Sequence, residues 1–172
     1  GKTTFLHHNA EPERRLVSLD PLDMRVQAKE DPRLFLANHP PPVLIDEIQY
    51  APELLPYIKQ IIDEVRNRDR QSARGLFWLT GSQQFGLMKG VSESLAGRIG
   101  IFNLHGLSQA ELAGRDDGAF LPERDFSAPM EPVSPLEVFT RIWRGSFPEL
   151  VMEEHPEKHW ERFYQSYLQT YL

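Results

Sequence analysis

Two adjacent carboxylates, Asp46 and Glu47, close an apolar run that starts Val43-Leu44-Ile45 and passes on into Ile48-Gln49. A run that buries itself and then delivers paired acids predicts a central parallel strand whose carboxyl edge holds a ligand, as in α/β proteins. A strand followed by an acidic turn is the plainer alternative. The first four residues, Gly1-Lys2-Thr3-Thr4, favour the former. They match the end of a phosphate-binding loop, Gly-x-x-x-x-Gly-Lys-[Ser/Thr], which has a strand before it and a helix beginning at the lysine. On that reading Gly1 permits close backbone approach, Lys2 reaches the β- and γ-phosphates, and the Thr3 hydroxyl coordinates Mg²⁺, with the helix dipole adding to the attraction. Asp46 would hold Mg²⁺, usually through water, because that small hard cation prefers oxygen ligands and keeps its hydration. Glu47 would orient or deprotonate the attacking water. Phosphoryl transfer needs little more from a protein than positioned phosphates, a held metal and stabilised charge.

The elements that must position these groups can be read in order. Arg14 to Asp20 is expected as a strand ended by Pro21, and Met24 to Asn38 as a helical region with Asp31 as a cap and Pro32 at a first helical position. Pro40-Pro41-Pro42 is a rigid spacer that launches the Val43 strand. After Pro52, the residues Leu54, Leu55, Ile58, Ile61, Ile62 and Val65 fall at helical spacing and form a core face. Arg66, Arg68 and Arg70 stand among Asp63, Glu64 and Asp69, a solvated helix end rather than a nucleic-acid patch. Gly75 to Leu79 reads as a second buried strand that emerges at Thr80-Gly81-Ser82-Gln83. This polar end could carry a hydroxyl or amide to a γ-phosphate, or be only turn and capping residues.

Beyond that point, Phe85 to Leu95 is expected as a helix and Ile99 to Leu104 as a third strand, with Arg98 just before it. Arg98 either reaches a neighbouring subunit's nucleotide or makes a surface salt bridge. Ser108 and Glu111 have capping-box spacing. The chain then divides into a core over 1–113, a proline-rich linker or mobile loop over 114–135, and a helical segment over 136–172 that would begin a C-terminal domain. Phe5 and Leu6 would start a buried face of the first helix, while His7 and His8, being adjacent, cannot chelate as an i, i+4 pair and are expected exposed.

Composition bounds the function. With 172 residues, 40% hydrophobic and 26% charged, the chain is ordinary globular material for one α/β domain and an appendage. A net charge of −6 argues against a role in neutralising a nucleic-acid backbone. The absence of cysteine excludes disulfides, thiolate metal sites and thiol nucleophiles from this sequence, and fits a cytoplasmic setting. No apolar run reaches the roughly 18 residues of a membrane span.

The ordered motifs resemble a known family. Gly1-Lys2-Thr3-Thr4-Phe5-Leu6, Asp31-Pro32 followed by Phe35-Leu36, Ile45-Asp46-Glu47-Ile48-Gln49-Tyr50-Ala51-Pro52, Leu79-Thr80-Gly81-Ser82-Gln83 and Glu93-Ser94-Leu95-Ala96-Gly97-Arg98 carry the resemblance. So do Arg144-Gly145-Ser146-Phe147-Pro148-Glu149 and the Tyr167 to Leu172 helix. Together they look like the prokaryotic AAA+ P-loop ATPases that carry an uncharacterised C-terminal domain. The resemblance implies a three-layer α/β fold, with a parallel sheet between helices on both faces and a helical C-terminal segment. It implies ATP and Mg²⁺ as ligands, Gly1, Lys2, Thr3 and Thr4 as Walker A residues, and Asp46 and Glu47 as the Walker B pair. By the same resemblance Ser82 and Gln83 occupy the sensor position, and Arg98 is a candidate arginine finger, which would require a homo-oligomer. The first part of the Walker A loop and its preceding strand do not appear before Gly1, so a chain truncated at both ends is expected. The leading expectation is an ATP-hydrolysing switch or motor module with an unknown protein or DNA partner and no membrane role. The alternative is a non-hydrolysing interaction module that tethers a DNA-acting or protein-binding C-terminal domain.

Overall fold

The computed structural model of the protein describes residues 1–81, 94–114, 133–152 and 160–166. They belong to two compact units, Gly1–Phe102 and Asn103–Leu172. The first is built on a parallel sheet with strands β1 (Arg15–Ser18), β2 (Val43–Asp46) and β3 (Phe77–Leu79) adjacent in that order. Around it are helices α1 (Lys2–Asn9), α2 (Leu22–Glu30), α3 (Pro32–Asn38) and α4 (Leu54–Arg68), with a 3-10 turn at Ile48–Tyr50.

β2 is central because its residues tolerate burial on both faces: all four are buried, and Val43 and Ile45 are fully enclosed. Val43 and Ile45 join Phe35, Leu36, Leu54, Leu55 and Ile58 in the main cluster, so α3 and α4 cover that face. Successive strand residues point to opposite faces, which sends Leu44 and Asp46 the other way. The register pairs Ser18 with Asp46 and Ile45 with Leu79, so the strands end nearly level and Asp46 lies at the carboxyl edge between its neighbours.

The helical region after Pro21 divides in two. Asp31 leaves helical geometry at φ −137° and ψ 79°, and its carboxylate accepts the Leu34 N–H at 2.9 Å. Pro32, at the first helical position of α3, has no N–H to continue α2 and disfavours a helical residue before it. Among the residues expected to begin a buried face, Leu6 is half-buried but Phe5 is 52% exposed, and α1 has no fully buried residue. His7 and His8 are exposed, as expected.

Ile99 to Leu104 is not the strand its composition predicts. These residues form no ladder with any strand among the described residues, and Phe102 is 94% exposed. A strand exists only by pairing, and Gly100 and Asn103 add little intrinsic preference for it. The helix expected over Phe85 to Leu95 lies almost wholly outside the described residues, although Leu95 itself is buried.

The second unit contains α5 (Gln109–Leu112), α6 (Pro135–Arg144) and α7 (Pro148–Val151), and residues 160–166 are helical. Ser108 and Glu111 form the reciprocal capping box that their spacing predicts. Ser134 caps α6, with Pro135 at its first helical position. Trp143 stacks on Trp160 at 4.8 Å between ring centroids, and Trp160 on Tyr164 at 5.2 Å. Most of the expected linker, residues 115–132, lies outside the described residues. Among the described residues no helix is long and apolar enough to cross a membrane.

Candidate functional site

At the carboxyl edge of the sheet, α1 and β2 meet through one contact. The Thr3 hydroxyl donates to the Asp46 carboxylate, 3.1 Å from each oxygen, across 43 residues of sequence. Asp46 is only 6% exposed, so this hydroxyl satisfies a charge that burial would otherwise penalise. Gly1 is the N-cap of α1 and its carbonyl accepts the Phe5 N–H at 3.0 Å. Lys2 and Thr4, both exposed, flank Thr3 in the first turn. The N-terminus of α1, with Lys2 beside it, is therefore brought to the buried acid at the strand end.

Glu47 leaves β2 abruptly. Its backbone is left-handed at φ 59° and ψ 45°, a conformation no other non-glycine residue adopts among the described residues. The turn takes the chain out of the ladder, so Ile48, rather than Glu47, donates its N–H to the Thr80 carbonyl at 2.9 Å. Gln49 then lies near enough to Glu47 for its Nε2 to donate to Glu47 Oε2. Thr80 is 5% exposed, and its hydroxyl has no hydrogen-bond partner among the described residues. Because Leu79 pairs with Ile45, Thr80 stands opposite Asp46 in the row that Ser18 begins.

The donor set has a definite chemical character. Thr3 and Asp46 offer hard oxygens and no nitrogen or sulfur, the kind of partial set that suits Mg²⁺, which takes one or two protein ligands and keeps its water. Among the described residues there is no cluster of three or more His, Cys, Asp or Glu side chains suited to holding a metal by protein groups alone. Lys2 adds a cation at the same helix start, where anions are also favoured by the backbone.

The structure does not bring Arg98 to this edge. Its Nε donates to Asp63 Oδ1 at 2.6 Å and its guanidinium also bonds the Ala96 carbonyl at 3.0 Å. Asp63 lies nine residues into α4, about 14 Å along the axis from the helix start. The pairing lowers the Asp63 carboxyl and raises the Arg98 guanidinium, in both cases chiefly through their mutual hydrogen bond. Ser82 and Gln83 lie outside the described residues.

Two features of the site were not legible as roles in the sequence. Gln49 stands within a quoted motif, but only the left-handed turn at Glu47 shows that its amide reaches back. Thr80 reads as one of several polar residues after a strand, and only its burial, with no hydroxyl partner among the described residues, separates it from Gly81. No curated protein matches the chain, and no solved structure matches it. A family model described as an AAA domain matches residues 1–113. That stretch is well over half of the 172 residues and contains both Thr3 and Asp46, and the chain belongs to the AAA domain family.

Proposed function

We propose that the protein binds Mg²⁺-ATP and hydrolyses it as a nucleotide-driven switch or motor acting on a partner. The observation that carries this reading is the Thr3 to Asp46 contact, which unites the helix start bearing Gly1-Lys2-Thr3-Thr4 with the acidic end of β2. Lys2 and the first-turn backbone would hold the β- and γ-phosphates, and Thr3 and Asp46 would hold the metal. When bound, Mg²⁺ neutralises charge developing on the phosphate oxygens. Glu47 orients the attacking water and takes its proton.

We further propose the finer assignments that the resemblance to AAA+ ATPases implies. The sheet belongs to a three-layer arrangement, Ser82 and Gln83 sense the γ-phosphate, and residues 136–172 begin an output domain in a cytoplasmic protein. For Arg98 to act as an arginine finger it must exchange Asp63 for the nucleotide of a neighbouring copy, which makes the active form a homo-oligomer.

The test uses the full-length protein with Lys2→Ala, Asp46→Asn and Glu47→Gln. Lys2→Ala and Asp46→Asn should weaken Mg²⁺-nucleotide binding. Glu47→Gln should keep binding while turnover falls by about 10²- to 10⁴-fold, the usual contribution of a general base. Equal hydrolysis in all four proteins removes the reading, and partner binding indifferent to nucleotide would then favour a non-hydrolysing module.

A further inference from the structure

We infer that Gln49 is a positioning residue for Glu47, holding its carboxylate in the orientation that water activation requires; this rests on the hydrolytic reading above. Glu47 needs such a partner because of how it leaves the strand. A residue with a Cβ is strained in the left-handed region, and it stays there only when its surroundings fix it. Those surroundings are visible. Ile48 is fully buried and anchored to the Thr80 carbonyl at 2.9 Å, and the Tyr50 N–H returns to the Glu47 carbonyl at 3.0 Å.

This tight turn carries residue 49 back over residue 47, where Gln49 Nε2 donates to Glu47 Oε2. The backbone thus fixes where the Glu47 side chain starts, and the amide fixes where it ends. A glutamate has three side-chain torsions, and a general base must lie within hydrogen-bond reach of the proton it takes. An amide holds a carboxylate without the full positive charge of lysine or arginine, which would drain basicity from a base.

The experiment compares wild-type full-length protein with Gln49→Met, which keeps length and volume but has no donor, and Gln49→Glu, which keeps shape but sets like charges together. Steady-state ATP hydrolysis, affinity for a non-hydrolysable ATP analogue and thermal midpoint are measured for each. Turnover should fall by about tenfold or more in both, further in Gln49→Glu, while analogue affinity stays within about twofold of wild type. Unchanged turnover in Gln49→Met overturns the inference, as does a parallel loss of turnover and affinity, which a merely structural role would produce. A second readout separates this outcome from failure of the hydrolytic reading. The Gln49 side-chain amide signal in ¹⁵N spectra should shift in Glu47→Ala even if no protein in the set hydrolyses ATP; a signal that does not move overturns the positioning of Glu47 directly.

Discussion

The Arg14 guanidinium is almost wholly enclosed, with its side chain 3% exposed, at the end of the sheet opposite the carboxyl edge that holds Asp46. It donates to the Glu11 carboxylate at 2.8 Å, to the Gly75 carbonyl at 2.8 Å and to the Val43 carbonyl at 3.4 Å, and it stacks 4.1 Å from the Trp78 ring centroid. One side chain therefore ties the entry to β1 to the starts of β2 and β3. The carbonyls are acceptors that an apolar replacement leaves without this donor, and bonds from a charged group are worth more than neutral ones. Arg14→Met should destabilise the first unit by about 2–3 kcal/mol in urea unfolding. Glu11→Gln should have the lesser effect, since that partner is exposed and the two carbonyl bonds remain. The reverse order would mean that the ion pair, rather than the carbonyl bonds, carries the contribution. Lys2 makes the contrast at residue scale. It is exposed at the start of α1, as the phosphate-holding role proposed for it requires, whereas Arg14 is held by the fold.

At the scale of elements, α3 shows how a short helix is made to serve the central strand. It has seven residues, too few to be stable alone, and survives by burying Phe35 and Leu36 against the cluster under β2. Asp31 fixes its start by accepting the Leu34 N–H, and Asp31→Ala should therefore cost about 1 kcal/mol of unfolding free energy. Replacement by Asn or Ser should recover most of that, and an Asp31→Ala protein as stable as wild type would show the cap to be dispensable. This cap, its following proline and the apolar run of β2 were all legible, because each is a local pattern read within a few residues. Ile99 to Leu104 was not, although it too has strand-like composition, since pairing depends on a neighbour that the segment does not contain. The same reason explains the site. Thr3 and Asp46 could be joined in advance because their motifs have a fixed order, but the Arg98 to Asp63 pair and the burial of Thr80 depend on contacts with distant elements.

Across the whole molecule, protonation links these local contacts to the stability of the first unit. His39 follows α3, its ring 4.7 Å from that of Phe35, and burial, with a smaller contribution from Arg15, lowers its pKa below the ordinary 6.5. Glu11, Asp63 and Asp69 are lowered as well, by hydrogen bonds from Arg14, Arg98 and Ser72 respectively. All four groups bind protons more readily in the unfolded chain. Stability must therefore rise with pH through each window, being fully present above the unfolded-state value and lost as pH falls towards the folded one. Acidification should weaken the fold in two steps, the first beginning just below 6.5 through His39 and the second below the ordinary carboxylate values of 4.5 and 3.8. Trp78 is the first unit's own reporter once Trp143 and Trp160 are changed to phenylalanine, because the sequence has three tryptophans. In that background the urea midpoint followed by fluorescence should drop between pH 7.5 and 5.5, and His39→Gln should flatten that upper step while leaving the carboxylate step intact. An upper step of undiminished size in His39→Gln would place its origin outside the α3 terminus, whereas loss of both steps would show that His39 and the carboxylates report one cooperative collapse.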